Sequence, residues 1–135
     1  MAAPTSLIIN SAFTEPQQHW AENADRTLRL EPARRPAGYE IIDTRENTRR
    51  QVPIPLVDTI RDRVRQWRLD GWPGTTAITL GLLQHWWDPD KVSRRQWPFY
   101  FCQLEAIETL IWHLEALPEY RQGIFIESDG GDFER

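Results

Sequence analysis

The sequence has 135 residues but only one cysteine, one methionine and one lysine. A lone thiol, Cys102, excludes an internal disulfide. No apolar run approaches the ~20 residues that span a bilayer. The opening "MAAPTSLIINSAF" has no basic residue ahead of its short apolar run, so it does not read as a secretory signal. The expected compartment is the cytoplasm, with no membrane partner. Lys91 follows Asp90, and no Gly-Lys pair exists, so the phosphate loop G-x-x-x-x-G-K-[ST] is absent. "ESDGGDFE" near the end lacks an apolar strand running directly into an Asp-Glu pair, and reads as a solvated loop rather than a metal-holding segment. His19, His85 and His113 stand alone in sequence, with no H-E-x-x-H spacing, so no metal site is expected. Nor is there a nucleophile elbow. By itself the chain is therefore expected not to be an enzyme.

Tryptophan and arginine are abundant. Hydrophobic residues make up 40% and charged residues 27%, which fits one soluble globular unit with a modest core. Seven tryptophans are many for that core, and Trp86 and Trp87, being adjacent, point about 100° apart on a helix. The surplus suggests contact with a partner, another domain or a nucleic acid. The net charge of −4 is unevenly spread. Residues 26–68 carry eleven arginines against six acids, whereas residues 98–135 carry eight acids against two arginines. Such a chain can present a basic face while being acidic overall. Arg34 with Arg35, and Arg49 with Arg50, fall in stretches read as turns or loops, which makes them the candidates for phosphate of a nucleic acid.

The pattern predicts an α+β fold: a region of short strands and loops followed by three helices. Residues 1–24 read as an extended arm, with a short strand at Leu7 to Ile9 at most. "GYEIIDT" (38–44) reads as a strand, "RENTRRQ" (45–51) as a loop and "VPIP" (52–55) as extended. Val57, Ile60, Val64 and Trp67 recur at helical spacing and place a helix at 56–69, with Asp58–Arg61 and Asp62–Arg65 as supporting pairs. A second helix runs over 76–87, capped by Thr75 or Thr76 and stopped by Asp88-Pro89, with a connector at 88–98. The third, 101–117, has Leu104, Ile107, Ile111 and Leu114 as an apolar stripe joined by Leu110 and Leu117. Glu105, Glu108 and Glu115 lie on its other face, and Pro118 ends it. Cys102, among aromatics, reads as a buried, inert thiol. Ile124 to Ile126 read as a final short strand.

"PFYFCQLEAIETLIW" sets a glutamine, Gln103, where an aromatic run turns into that third helix. The stretch resembles the Q-motif region of superfamily-two DEAD/DEAH-box helicases, and most of all the Res subunits of type III restriction enzymes. "IINSAFTEPQQHW" (8–20), "RRPAGYEIID" (34–43) and "VPIPLVDTIRDRVRQWR" (52–68) resemble the segments that precede the Q-motif in that group. The resemblance implies that Gln103 reads the adenine of ATP, with Phe99 and Tyr100 beside it. The chemistry is sound: adenine offers N7 as acceptor and N6 as donor, which one carboxamide matches, and a ring can stack on the base. It further implies an accessory region at 1–98, then the Q-motif and the start of a RecA-like helicase domain at 99–135, truncated before Walker A. ATP with magnesium would belong to the complete protein, whose partners would be DNA and the remaining helicase domains or a modification subunit. The chain alone is expected to bind ATP weakly or not at all.

Read without that resemblance, Gln103 is a helix-end residue bonding its own backbone. The chain is then a freestanding arginine- and tryptophan-rich module that binds nucleic acid or protein, or an inert remnant of a broken gene.

Overall fold

A computed structural model describes residues 6–126. Among the described residues the fold is α+β: two separate two-stranded antiparallel sheets precede five helices. β1 (His19–Glu22) pairs with β2 (Leu28–Glu31), and β3 (Gly38–Asp43) with β4 (Thr48–Pro53). α1 (Pro55–Leu69), α2 (Ala77–Trp87), α3 (Pro89–Arg94), α4 (Phe101–Glu115) and α5 (Pro118–Arg121) follow.

Each hairpin is set by its turn. Asp25 accepts from the backbone and hydroxyl of Thr27, and Arg26 adopts φ +66° to reverse the chain. In the second hairpin Asp43 accepts from the N–H groups of Arg45 and Glu46, and Asn47 takes φ +52°. That turn makes a strand of residues 48–53, which the sequence splits into a polar loop and an extended stretch. Arg49 faces Ile42, and Arg50 faces Ile41 in the register. Leu7 to Ile9 and Ile124 to Ile126 form no strand. Both are apolar triplets without a pairing partner among the described residues, although Ile124 packs on the core. The connector 88–98 contains a helix, α3, because Asp88 accepts from the Asp90 N–H and Pro89 takes the first helical position.

The helix at 56–69 has the expected buried stripe, with Val64 and Trp67 fully covered, and both expected pairs form: Arg61–Asp58 at 3.4 Å and Arg65–Asp62 at 2.8 Å. Thr76, not Thr75, caps α2 by accepting from Thr79 N. α4, however, is turned relative to the expected orientation. Its buried positions are Phe101, Leu104, Glu108 and Trp112, while Leu110 and Leu114 are 59% and 67% exposed. Leucine's preference for the interior loses here because Trp112 fills the space beside Trp67, and because Arg68 of α1 waits opposite Glu108. The helix ends at Glu115, two residues earlier than expected, and Pro118 opens α5.

The core joins Val64, Trp67, Leu83, Trp112 and Ala116, so it draws on α1, α2 and the end of α4 together. The connector after α1 seals it. Trp67 Nε1 donates to Pro73 O at 2.9 Å. Gly74 has φ +99°, and a Cβ there would lie 2.6 Å from Glu115 O, so only glycine allows the chain to pass this close to α4. Among the described residues no helix is long and apolar enough to cross a membrane.

Candidate functional site at the start of helix α4

The first turn of a helix has N–H groups without internal partners. At α4 the groups around that turn are satisfied in ways that build a surface. Gln103 folds back, and its Oε1 accepts from Tyr100 N at 3.0 Å, while Gln103 N donates to Tyr100 O at 3.1 Å. This is the glutamine half of a capping box. It fixes the carboxamide in an exposed position at the helix start. Phe101 N donates to Ala12 O at 2.9 Å, so the N-terminal arm supplies an acceptor to a helix that begins far along the chain.

The three aromatics of the turn go to different places. Phe99 meets Trp86 edge-on, with ring centroids 5.9 Å apart. Phe101 is buried, edge-on to Trp87 at 6.3 Å and under the Arg34 guanidinium at 5.4 Å. Tyr100 turns outward and stacks with Phe13 of the arm, centroids 5.4 Å apart and planes 17° from parallel. These two residues remain 51% and 44% exposed. Trp86 and Trp87 do diverge, one to each phenylalanine. Trp97 is the exposed tryptophan, at 85%. Cys102 is exposed too, not buried, because the helix turns it away from the Phe101 side.

The arm reaches this place through a closed loop. Gln18 Nε2 donates to Ile9 O at 2.7 Å and Asn10 Nδ2 to Gln18 O at 2.8 Å, tying residues 9 and 10 to residue 18. Between them Glu15 accepts from Arg65 of α1 and, at 3.4 Å, from Arg34. Arg34 also grips Glu105 of α4 with two bonds, 2.6 and 2.8 Å. Partial burial raises the Glu15 carboxyl, but bonds and charges from Arg65 and Arg34 outweigh it and hold it below its ordinary value. The Glu105 bond in turn raises Arg34.

The four arginines singled out for nucleic acid are thus distributed differently from one another. Arg34 is engaged by two carboxylates. Arg35 donates to Trp20 O at 2.7 Å. Arg49 lies on β4, 3.9 Å from Glu40 and largely exposed, and Arg50 is its exposed neighbour on the opposite face of the strand. Arg49 and Arg50 are strand residues, not loop residues. The basic stretch 26–68 and the acidic stretch 98–135 meet each other: Arg34 binds Glu105, and Arg68 binds Glu108 at 2.7 to 3.2 Å. Part of the uneven charge is therefore internal complementarity between α1, the segment before β3, and α4.

A recess of about 720 Å³ lies between the two hairpins and includes Trp20, Leu28, Arg35, Glu40, Arg49 and Gln51. It does not include Gln103, Tyr100 or Phe99. Among the described residues no group of three or more His, Cys, Asp or Glu is placed to hold a metal. The stretch "ESDGGDFE" (127–134) lies outside the described residues.

Four residues that shape this site, Phe13, Glu15, Arg65 and Glu105, are not marked as site residues by any sequence motif. Only the opposite charges of the stretches 26–68 and 98–135 hint at the last two. No family model, curated protein or solved structure matches this chain.

Proposed function

We propose that this chain is the N-terminal, adenine-reading segment of a DNA-acting ATPase of the helicase and type III restriction kind. One observation carries the reading: an exposed carboxamide, held still by its own helix start, sits beside an exposed aromatic stack. Its bond to Tyr100 N uses one lone pair of Gln103 Oε1. The second lone pair can accept from adenine N6–H, and Nε2 can donate to N7. Capping and base reading are thus compatible, and the cap lowers the entropy lost on binding. Tyr100 offers a ring to the base. Phe99, turned toward Trp86, shapes the turn from behind.

Phosphate and magnesium chemistry belongs in this reading to the remaining domains, since Lys91, the sole lysine, lies in α3. The outward stripe of Leu110, Leu114 and Leu117 supports that division, because an α4 apolar on a second face suits a helix packed on both sides. DNA contact in this reading falls to Arg49 and Arg50, with Arg34 engaged by Glu105 and Glu15 and the exposed Arg35 tied to Trp20 O. The exposed β3–β4 hairpin and Trp97 favour a second reading, a freestanding binding module that uses no nucleotide.

The test is a titration of isotope-labelled protein with AMP and with GMP, followed at the Gln103 side-chain amide by NMR. Adenine reading requires a saturable shift with AMP, at millimolar concentration, that GMP fails to reproduce. Equal shifts with both, or none with either, leave Gln103 as a helix cap and return the chain to the second reading.

A further inference from the structure

The arm loop 9–18 has two features that a passive extension does not need. It is closed on itself by two side-chain amides, and it is fastened by Glu15 to cations from two other places in the fold, Arg65 of α1 and Arg34 before β3. Arg34 is itself locked to Glu105, two residues past Gln103. These bonds converge on one outcome. They hold Phe13 flat against Tyr100, while Ala12 O binds the first N–H of α4. A half-exposed phenylalanine gains little from burial at such a place, so the ordering of the loop must serve the ring's position more than the core.

Resting on the adenine reading above, we propose that Phe13 is a wall of the base site: a second ring that backs Tyr100 and fixes its plane, with Glu15 as the positioning residue that keeps it there. A lone exposed tyrosine rotates about χ1 and presents its face to a base only part of the time. Stacked on Phe13 it has one face covered and its plane fixed, with about half of its surface still exposed. The pair then selects for a flat heteroaromatic ligand, and Gln103 chooses among the purines. Stacking is tolerant of base identity, whereas a carboxamide is not. The two contributions are therefore separable by experiment.

The AMP and GMP titration is repeated on Phe13→Leu, Phe13→Tyr, Glu15→Gln and Gln103→Ala, now followed at the backbone amides of Phe101 and Cys102 so that every variant keeps its probe and both nucleotides are read. Replacing Phe13 by leucine should weaken AMP and GMP alike, by up to roughly ten-fold, since Tyr100 loses the ring that fixes its plane and stacking on Tyr100 is indifferent to the base. Phe13→Tyr should restore the affinity, which a merely structural role for the loop does not require of an aromatic ring. Glu15→Gln should weaken AMP by a smaller factor and weaken the cross-peak between the Phe13 and Tyr100 rings. Gln103→Ala should instead erase the difference between AMP and GMP. If Gln103 still distinguishes the two nucleotides while Phe13→Leu binds AMP like the parent, the wall is disproved and the adenine reading stands. If AMP leaves Gln103 unmoved in the parent protein, the reading falls and the wall falls with it.

Discussion

Arg68 and Glu108, forty residues apart, meet through three N–H to carboxylate bonds of 2.7, 2.9 and 3.2 Å, and Glu108 has no solvent exposure. Trp72 Nε1 donates to the same carboxylate at 2.9 Å, and the Arg68 guanidinium lies 3.8 Å over the Trp87 ring. A carboxylate this deep is tolerable because both of its oxygens accept from Arg68 and one also from Trp72. Removing one partner leaves a buried charge. Arg68→Ala and Glu108→Ala should each cost about 3–5 kcal/mol in urea unfolding. The double change Arg68→Met with Glu108→Leu should cost much less than the two together. Additive losses would mean that the pair does not act as a unit.

Two glycines test the seam between α1 and α4. Gly74→Ala forces a Cβ to 2.6 Å from Glu115 O at φ +99°, whereas Gly71, at φ +86°, has open space around its missing Cβ. Gly71→Ala should incur only the backbone cost, about 1–2 kcal/mol. Gly74→Ala should cost clearly more, read as a larger drop in thermal midpoint. Equal drops would remove close approach as the reason for Gly74.

Acid should loosen the arm. The Glu15 carboxyl is held below its ordinary value, so its contribution is complete above the unfolded value and is lost as pH falls through the folded one. Protease cleavage within residues 9–18 should accelerate on acidification below the usual carboxylate range, and the Phe13–Tyr100 cross-peak should fade with it. In Glu15→Gln the arm should be open to protease and the cross-peak weak already at neutral pH, with most of the pH dependence gone. A parental profile in that variant would show that other groups hold the arm.

The exposed hairpin arginines should give weak, sequence-independent binding to duplex DNA that declines steeply with added salt. Changing Arg49 and Arg50 to alanine should lower the affinity and reduce the salt slope, by up to about one unit for each phosphate the side chains had neutralised. Arg34→Ala should instead lower stability, because it releases Glu105 and Glu15. A double variant that binds like the parent at low salt excludes Arg49 and Arg50.

The helical part of the fold is legible in the sequence to the extent that burial follows period. Val64 and Trp67 mark α1, and the i,i+3 pairs beside them form as spaced. The orientation of α4 is not legible, since Leu110 and Leu114 satisfy the periodic rule as well as Leu104 does. A cation on another helix makes the choice, and Glu108 becomes a core residue only because Arg68 is there. The site divides in the same way. Gln103, Tyr100 and Phe99 stand together in the sequence, but Phe13 reaches them through long-range bonds from Glu15 and Ala12, which no local pattern encodes. Strand β4 is hidden because Arg49, Arg50 and Gln51 have a loop's polarity, and only pairing with β3 makes them a strand.

The bond from Phe101 N to Ala12 O spans about 90 residues of chain, and this separation bears on the order of assembly. At a synthesis rate of about 5–20 residues per second, the arm leaves the ribosome on the order of ten seconds before the helix start it completes. The two hairpins and α1 can form from neighbouring segments in that interval, but Phe13 and Ala12 have nothing to dock on. A segment made early is thus among the last to find its place. A bulky tag fused ahead of the arm would interfere at this late step, at the start of α4, and leave the hairpins untouched.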